Sequence, residues 1–332
     1  MKYKSKEIEK HIVAGDKEHD QDNFAGAIIE YTKAINLDQE LSEAYISRGL
    51  VHFLNNSNLD ALLDISKAIK LDSSDPGGYR LRILINRLTE DYLWLISDYS
   101  KLIELEPHDS YNYMDRGNIK VTIGDHKEAL SDFNKAIEID NNNVEAYKLR
   151  ADLKLSMNNR ISAIDDYSKA IRINPKDKVA VSERGEIREV LGDDKGAYDD
   201  YSKAIEIDPE FSWAYINRAR LAFIYGEYEE AIIDLNKAIG LDAENAIAFN
   251  LRGLCKEFST DLDGALVDYS KAIELDPEWD EPYFNRGCIK GRKGDKQGAL
   301  EDFDNALEIN PDFADVYHER GLMGGNLGEE ED

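Results

Sequence analysis

The sequence repeats itself every 34 residues, and a period of that length restricts the chain to a stack of small, similar units. SDFNKAIEID around Ala136 returns as DDYSKAIRIN around Ala170, DDYSKAIEID around Ala204 and VDYSKAIELD around Ala272. The alanine column continues through Ala34, Ala68, Ala238 and Ala306, with no insertion or deletion from residue 8 to residue 313. A second landmark is an aromatic residue followed by Arg and then Gly or Ala. It recurs as Tyr45/Arg48/Gly49, Tyr113/Arg116/Gly117, Tyr215/Arg218/Ala219 and Tyr283/Arg286/Gly287. Units of this kind bury their apolar faces against their neighbours rather than in one central core.

Each unit reads as two helices. Apolar residues fall at helical spacing in the first half (helix A), as at Tyr147, Ala151 and Leu153, and in the second half (helix B), as at Ala163, Ile164, Tyr167, Ala170 and Ile171. One column before helix B holds good N-caps: Asn23, Ser57, Asp91, Asp125, Asn159, Asp193, Asp261 and Asp295. Gly124, Gly192, Gly226 and Gly294 precede the cap, where a terminating helix takes a left-handed residue. Pro107, Pro175, Pro209, Pro277 and Pro311 stop helix B. Glycines in the middle of helix A (Gly15, Gly49, Gly117, Gly185, Gly253, Gly287) each cost roughly 1 kcal/mol against alanine, so their recurrence implies close helix–helix approach. The third unit breaks this pattern, with Ile83 in the glycine column and Leu95 and Leu102 in alanine columns.

These residues resemble the tetratricopeptide-repeat family in its YxxRG…DYxKAIxLxP variant, over essentially the whole chain. The resemblance implies an all-α fold: a right-handed superhelical solenoid of antiparallel helix pairs with a concave groove. Nine repeats are expected at 8–41, 42–75, 76–109 (irregular), 110–143, 144–177, 178–211, 212–245, 246–279 and 280–313. An extension, 1–7, precedes them. A terminal helix or partial tenth repeat with an acidic tail, 314–332, follows. Asn118, Asn217 and Asn285 lack the basic neighbours of the family's clamp for a C-terminal carboxylate, which disfavours that mode of binding.

An arginine column (Arg48, Arg82, Arg116, Arg150, Arg184, Arg218, Arg252, Arg286, Arg320) stands where the family usually has leucine. An acidic column matches it: Glu30, Asp64, Asp98, Asp132, Asp166, Asp200, Asp234, Asp268 and Asp302. Both lie on faces that otherwise read as packed, so pairing is expected. The first unit has Ala14 in place of the arginine, so pairing within units would orphan Glu30 and Arg320. Pairing each acid with the arginine of the next unit, Asp166 with Arg184 for example, uses every member. An inter-repeat ladder is therefore expected.

Three columns of helix A vary from unit to unit, and the family resemblance places them on the groove. They are Ile46, Leu50, Phe53; Arg80, Leu84, Arg87; Met114, Asn118, Val121; Lys148, Asp152, Leu155; and, further along, Ile216, Arg220, Phe223 and Phe284. The first four sets are apolar with three cations, which suits a partner segment with apolar anchors and some acidic residues.

With 68 acidic against 41 basic residues, the net charge of -27 opposes binding to nucleic acid or to an anionic membrane. No run is long enough for a transmembrane helix and the N-terminus lacks a signal-peptide pattern, so a cytoplasmic protein is expected. The histidines fall at no metal spacing, no nucleotide or nucleophile motif is present, and the carboxylates recur with the repeat. No metal, cofactor or catalytic activity is expected. The reading is an adaptor that binds peptide segments of other proteins. The alternative is a scaffold that self-assembles, with a terminal helix such as 314–327 of one copy seated in the groove around Ile46 to Phe53 of another.

Overall fold

The computed structural model describes residues 2–88 and 90–325, which form helices joined by short turns, with no strand among the described residues. The chain divides into two compact units, 1–173 and 174–332. The first contains α1 (Lys2–Asp20), α2 (Phe24–Leu37), α3 (Ser42–Leu54), α4 (Asn58–Leu71), α5 (Pro76–Asn86), α6 (Tyr92–Leu105), α7 (Ser110–Thr122), α8 (His126–Ile139), α9 (Val144–Ser156) and α10 (Arg160–Ile173). The second contains α11 (Lys178–Val190), α12 (Asp194–Ile207), α13 (Ser212–Ile224), α14 (Tyr228–Leu241), α15 (Ala246–Phe258), α16 (Leu262–Leu275), α17 (Asp280–Arg292), α18 (Lys296–Ile309) and α19 (Ala314–Gly325). Odd-numbered helices are the A helices and even-numbered ones the B helices. Each A helix packs on the B helix that follows it, and within each compact unit each B helix packs on the next A helix. Helix α1 begins at Lys2, so the segment expected to be an extension is continuous with the first A helix. The acidic tail, 328–332, and the last residues of the expected terminal helix lie outside the described residues.

The turns follow the chemistry of their residues. Gly124, Gly192, Gly226 and Gly294 adopt φ of +77° to +85°, and Asp22, Asn56, Glu90, Asn158 and Thr260 take the same left-handed place in the other turns. The next N–H then reaches back to the helix, as from Asp125 to the Lys120 carbonyl at 2.8 Å, which satisfies carbonyls freed at the helix end. Asn23, Asp91, Asp125, Asn159, Asp193, Asp261 and Asp295 accept from the N–H three residues on. Ser57, expected to do likewise, makes no side-chain cap bond.

The mid-helix glycines are contact points. A Cβ at Gly253 would stand 2.6 Å from the Tyr269 ring, and one at Gly49 would stand 2.8 Å from Ile65. Tyr31, Tyr201, Tyr269, Phe133 and Phe303 are fully buried against these glycines. In the third pair, Ile83 takes the glycine's place and is itself buried with Leu95, Tyr99 and Leu102. Helices α5 and α6 accordingly approach each other less closely than the other pairs do. The irregular unit keeps both helices and fills the wider gap with larger side chains.

The charged columns pair within units, which overturns the expected inter-repeat ladder. Arg48 grips Asp64 with Nε and Nη2, both at 2.7 Å. The same bidentate fork joins Arg82 to Asp98, Arg116 to Asp132, Arg150 to Asp166, Arg184 to Asp200, Arg218 to Asp234, Arg252 to Asp268 and Arg286 to Asp302. The two residues left over at the ends find other partners. Glu30 accepts from Lys33 and from His11, which together hold its carboxyl below the usual range. Arg320 donates to Asp304 at 3.0 Å.

The arginines still tie neighbouring repeats together, through the third nitrogen. Nη1 of Arg48, Arg116, Arg218 and Arg286 donates to Thr32, Ser100, Ser202 and Ser270 on the preceding B helix, and that of Arg150 and Arg252 to Asn134 and Asn236. The aromatic residue three positions earlier lies beside the guanidinium, 5.3 Å away for Phe249 and Arg252 and 5.9 Å for Tyr113 and Arg116. The repeated Tyr-x-x-Arg spacing is thus a cation–π contact on one helix face, ending in an ion pair to a buried carboxylate.

Candidate binding surface

The exposed side of the A helices carries the residues that differ between repeats. Of the first variable column, Met114 and Ile216 are buried among their neighbours, 9% and 3% exposed, so they serve packing. Phe284 is half-buried and meets Phe303 and Phe313 at ring distances of 6.2 and 5.1 Å. Ile46, Leu50 and Phe53 are half-buried and pack against a cluster containing Ala61, Leu81 and Ile85. Val121 and Leu155 are half-buried, Asn118 and Asp152 exposed. Leu84 stands out at 48% exposed.

The three cations in this region already have partners in the chain. Arg80 pairs with Glu106 at 2.5 Å, Arg87 with Asp115 at 2.8 Å, and Lys148 with Glu145 at 3.3 Å. Their charges are offset locally, so the apolar residues carry whatever attraction this face has for a partner.

In the second unit the same face is more polar and linked across repeats. Glu186 accepts from Trp213 Nε1 at 2.7 Å and from Asn217 at 3.0 Å. Glu189 pairs with Arg220, and Glu257 with Arg292. Asn285 donates to Asn250 at 3.3 Å. Phe223, Tyr228 and Phe258 form an aromatic group with ring distances of 5.4 to 5.7 Å.

One exposed column escaped the sequence reading. It lies four residues beyond the second variable column, at the last residue of an A helix or, for Leu88, just past it. Leu54 and Leu88 occupy it in the first unit, and Val190, Ile224 and Phe258 in the second, all between 43% and 66% exposed. The signal was available, because a stripe at i and i+4 continues to i+8. Leu84, on the third A helix, and Leu88, in the turn that follows it, are both exposed apolar side chains.

The two cysteines occupy apolar surroundings. Burial pushes both thiols, Cys255 and Cys288, up to about 12. At neutral pH each should carry roughly a thousandfold less thiolate than an ordinary cysteine. Iodoacetamide at pH 7.4 is therefore expected to leave both unlabelled in the folded protein and to label both in urea, read by mass spectrometry. Rapid labelling of Cys288 in the folded chain would contradict this. Among the described residues, no group of His, Cys, Asp and Glu could hold a metal ion, and no helix is long and apolar enough to cross a membrane.

Family models of the tetratricopeptide repeat match residues 111–143, 144–177, 201–233 and 280–313. No curated protein matches the chain. Among solved structures, a chain of the APC/C hetero-tetramer Cut9–Hcn1 is 14% identical, with 93% of this chain and 74% of that one covered and a TM-score of 0.56. YrrB, a TPR protein with an unusual peptide-binding site, is 26% identical over 57% of this chain and 97% of its own, with a TM-score of 0.48. A tetratricopeptide repeat protein from Parabacteroides merdae is 20% identical over 86% of this chain and 99% of its own, with a TM-score of 0.48.

Proposed function

We propose that this chain, a tetratricopeptide-repeat protein, is an adaptor that holds peptide segments of partner proteins along the exposed face of its A helices. The observation that carries this reading is the contrast between columns. Glycine, alanine, aromatic, arginine and aspartate columns are constrained by packing, while the A-helix face changes from repeat to repeat and keeps exposed apolar side chains at Leu54, Leu84 and Leu88. Such side chains suit the anchors of an extended or helical segment. Arg80, Arg87 and Lys148 are paired within the chain, so apolar anchors rather than acidic ones should dominate selection.

The test is a selection of displayed random peptides on the full chain, repeated on Leu84→Asp/Leu88→Asp. These leucines are exposed, at 48% and 66%, so the double variant should keep its helical signal and unfolding midpoint. Met114 is unsuited to this test, because a buried charge there would disturb the fold. Enriched peptides are expected to carry spaced apolar residues and to lose at least about tenfold in affinity for the variant, roughly 1.4 kcal/mol. Peptides that bind both proteins equally would remove the assignment. Self-assembly through the last helix has less to recommend it. Val316 of α19 is fully buried in a cluster with Ala299 and Phe303 of its own chain. Light scattering that shows a concentration-dependent rise in mass would revive it.

A further inference from the structure

Most of the buried aspartates receive a second cation besides their arginine, from the residue four positions later on the A helix. Lys120, Lys154, Arg188, Lys256 and Lys290 reach Asp132, Asp166, Asp200, Asp268 and Asp302 at 2.6–2.9 Å. Three of them also donate to a carbonyl in the first turn of the B helix: Lys154 to Ser162, Arg188 to Gly196 and Lys290 to Gly298, at 3.1–3.4 Å. This long cationic side chain occupies the corner where an A helix meets the start of its own B helix.

Two units have a short side chain in that column, Asn86 and Ala222, and a cavity opens beside each. One, of about 280 Å³, is lined by Leu62, Asn86 and Asp91 among others. The other, of about 260 Å³, is lined by Tyr198, Ala222 and Glu227, the same three positions of the repeat. At each cavity an aromatic ring of the lining lies against the arginine of the ion pair. In the first, the Trp94 ring lies over Arg82 at 5.0 Å and Asp98 is 1% exposed. In the second, the Tyr198 ring lies over Arg218 at 5.7 Å and Asp234 is 9% exposed, against 1–6% for the other aspartates of its column. Its Oδ2 accepts from Arg218 Nε at 2.7 Å, and no lysine takes the place beside it.

We propose that the cavity at the meeting of α12, α13 and α14 is a binding site for a cationic side chain, the lysine or arginine of a partner polypeptide, which takes the seat left by Ala222. Tyr198, Leu221 and Tyr225 give apolar walls for the methylene stem and ring faces for the charge. Asp194 and Glu227 line it against a single cation, Lys195. Glu227 stands at the N-cap of α14 without a side-chain cap bond, and Asp194 accepts from the Tyr225 hydroxyl. At about 30 Å³ per water, the cavity holds several water-sized groups. In the repeats with Lys154 or Arg188 a cationic side chain of the chain itself stands at this position, and in the cavity beside Ala222 the carboxylates of Asp194 and Glu227 would face the guest's charge. This site is independent of the A-helix face and can fail or stand separately from it.

The test is an NMR titration of the full chain with n-butylammonium and n-butylguanidinium, using n-butanol as the uncharged control. The Ala222 and Leu221 methyl signals are followed. Saturable shifts are expected for at least one cation and weaker ones for the alcohol. Ala222→Lys installs the side chain of the sibling repeats and should keep the unfolding midpoint. It is expected to weaken cation binding by about tenfold or more, the scale of a lost charged hydrogen bond. Glu227→Gln, at an exposed position, should weaken it severalfold without touching the packing. The proposal is overturned if no cation shift saturates, if butanol binds as well as the cations, or if both variants bind like the parent chain.

Discussion

Replacing Asp98 by alanine is expected to cost about 3–5 kcal/mol of unfolding free energy, because it strands the guanidinium of Arg82 in a nearly closed site. Arg82 has 12% of its side chain exposed and Asp98 1%, and among the described residues no second cation shares this aspartate. Changing Arg82 to methionine in the same chain should return part of the loss, since a pair removed together leaves no buried charge behind. The coupling between the two changes is expected at about 1–3 kcal/mol. The control is Arg116→Met, the partner that an inter-repeat ladder would require. Arg116 donates to Asp132, so its effect should add to that of Asp98→Ala within about 0.5 kcal/mol. Urea denaturation of the single and double variants decides between the two geometries. Strong coupling to Arg116 and none to Arg82 would refute pairing within units.

The second large effect is steric. Gly253→Val should destabilise by about 1–3 kcal/mol or more, because a Cβ there meets the Tyr269 ring at 2.6 Å. Tyr269 is fully buried and its hydroxyl donates to Glu257 at 2.8 Å, so the ring has little room to withdraw. Gly240→Ala is the internal contrast. That glycine lies in α14, where an added methyl would find nothing within 4 Å, and the change should stabilise by about 0.5–1 kcal/mol. Thermal unfolding of both variants checks the sign. A destabilised Gly240→Ala or a neutral Gly253→Val would mean that the glycine column does not mark the helix contacts.

Three features show where sequence reasoning reached and where it stopped. The glycine column implied close approach because glycine inside a helix is costly, and the structure supplies the partners: Tyr31, Ile65, Phe133, Tyr201, Tyr269 and Phe303. The left-handed turns were legible at Gly124, Gly192, Gly226 and Gly294, but the same backbone is adopted by Asp22, Glu90 and Thr260, which announce it less clearly. The A-helix face was recognised as variable, yet variability did not separate Met114 and Ile216, which are packed, from Leu84, which is open. Burial of a helix side chain depends on how far the next A helix lies to one side, and that distance is not written in the period.

The 34-residue period alone determined that the chain is built of helix pairs, which residues cap or stop most of the B helices, and which columns must be small. It determined these because capping, helix termination and backbone cost act within a few residues of one another. The partner of each arginine was decided only by the tertiary structure. Both candidate carboxylates lie on B helices that flank the same A helix, and matching the ends of the columns favoured the wrong one. His11 and Asp304, outside both columns, satisfy the terminal Glu30 and Arg320, so the columns did not have to close among themselves. Packing of the A helix on its own B helix brings the guanidinium fork onto the aspartate, and in six repeats the remaining nitrogen reaches the preceding B helix.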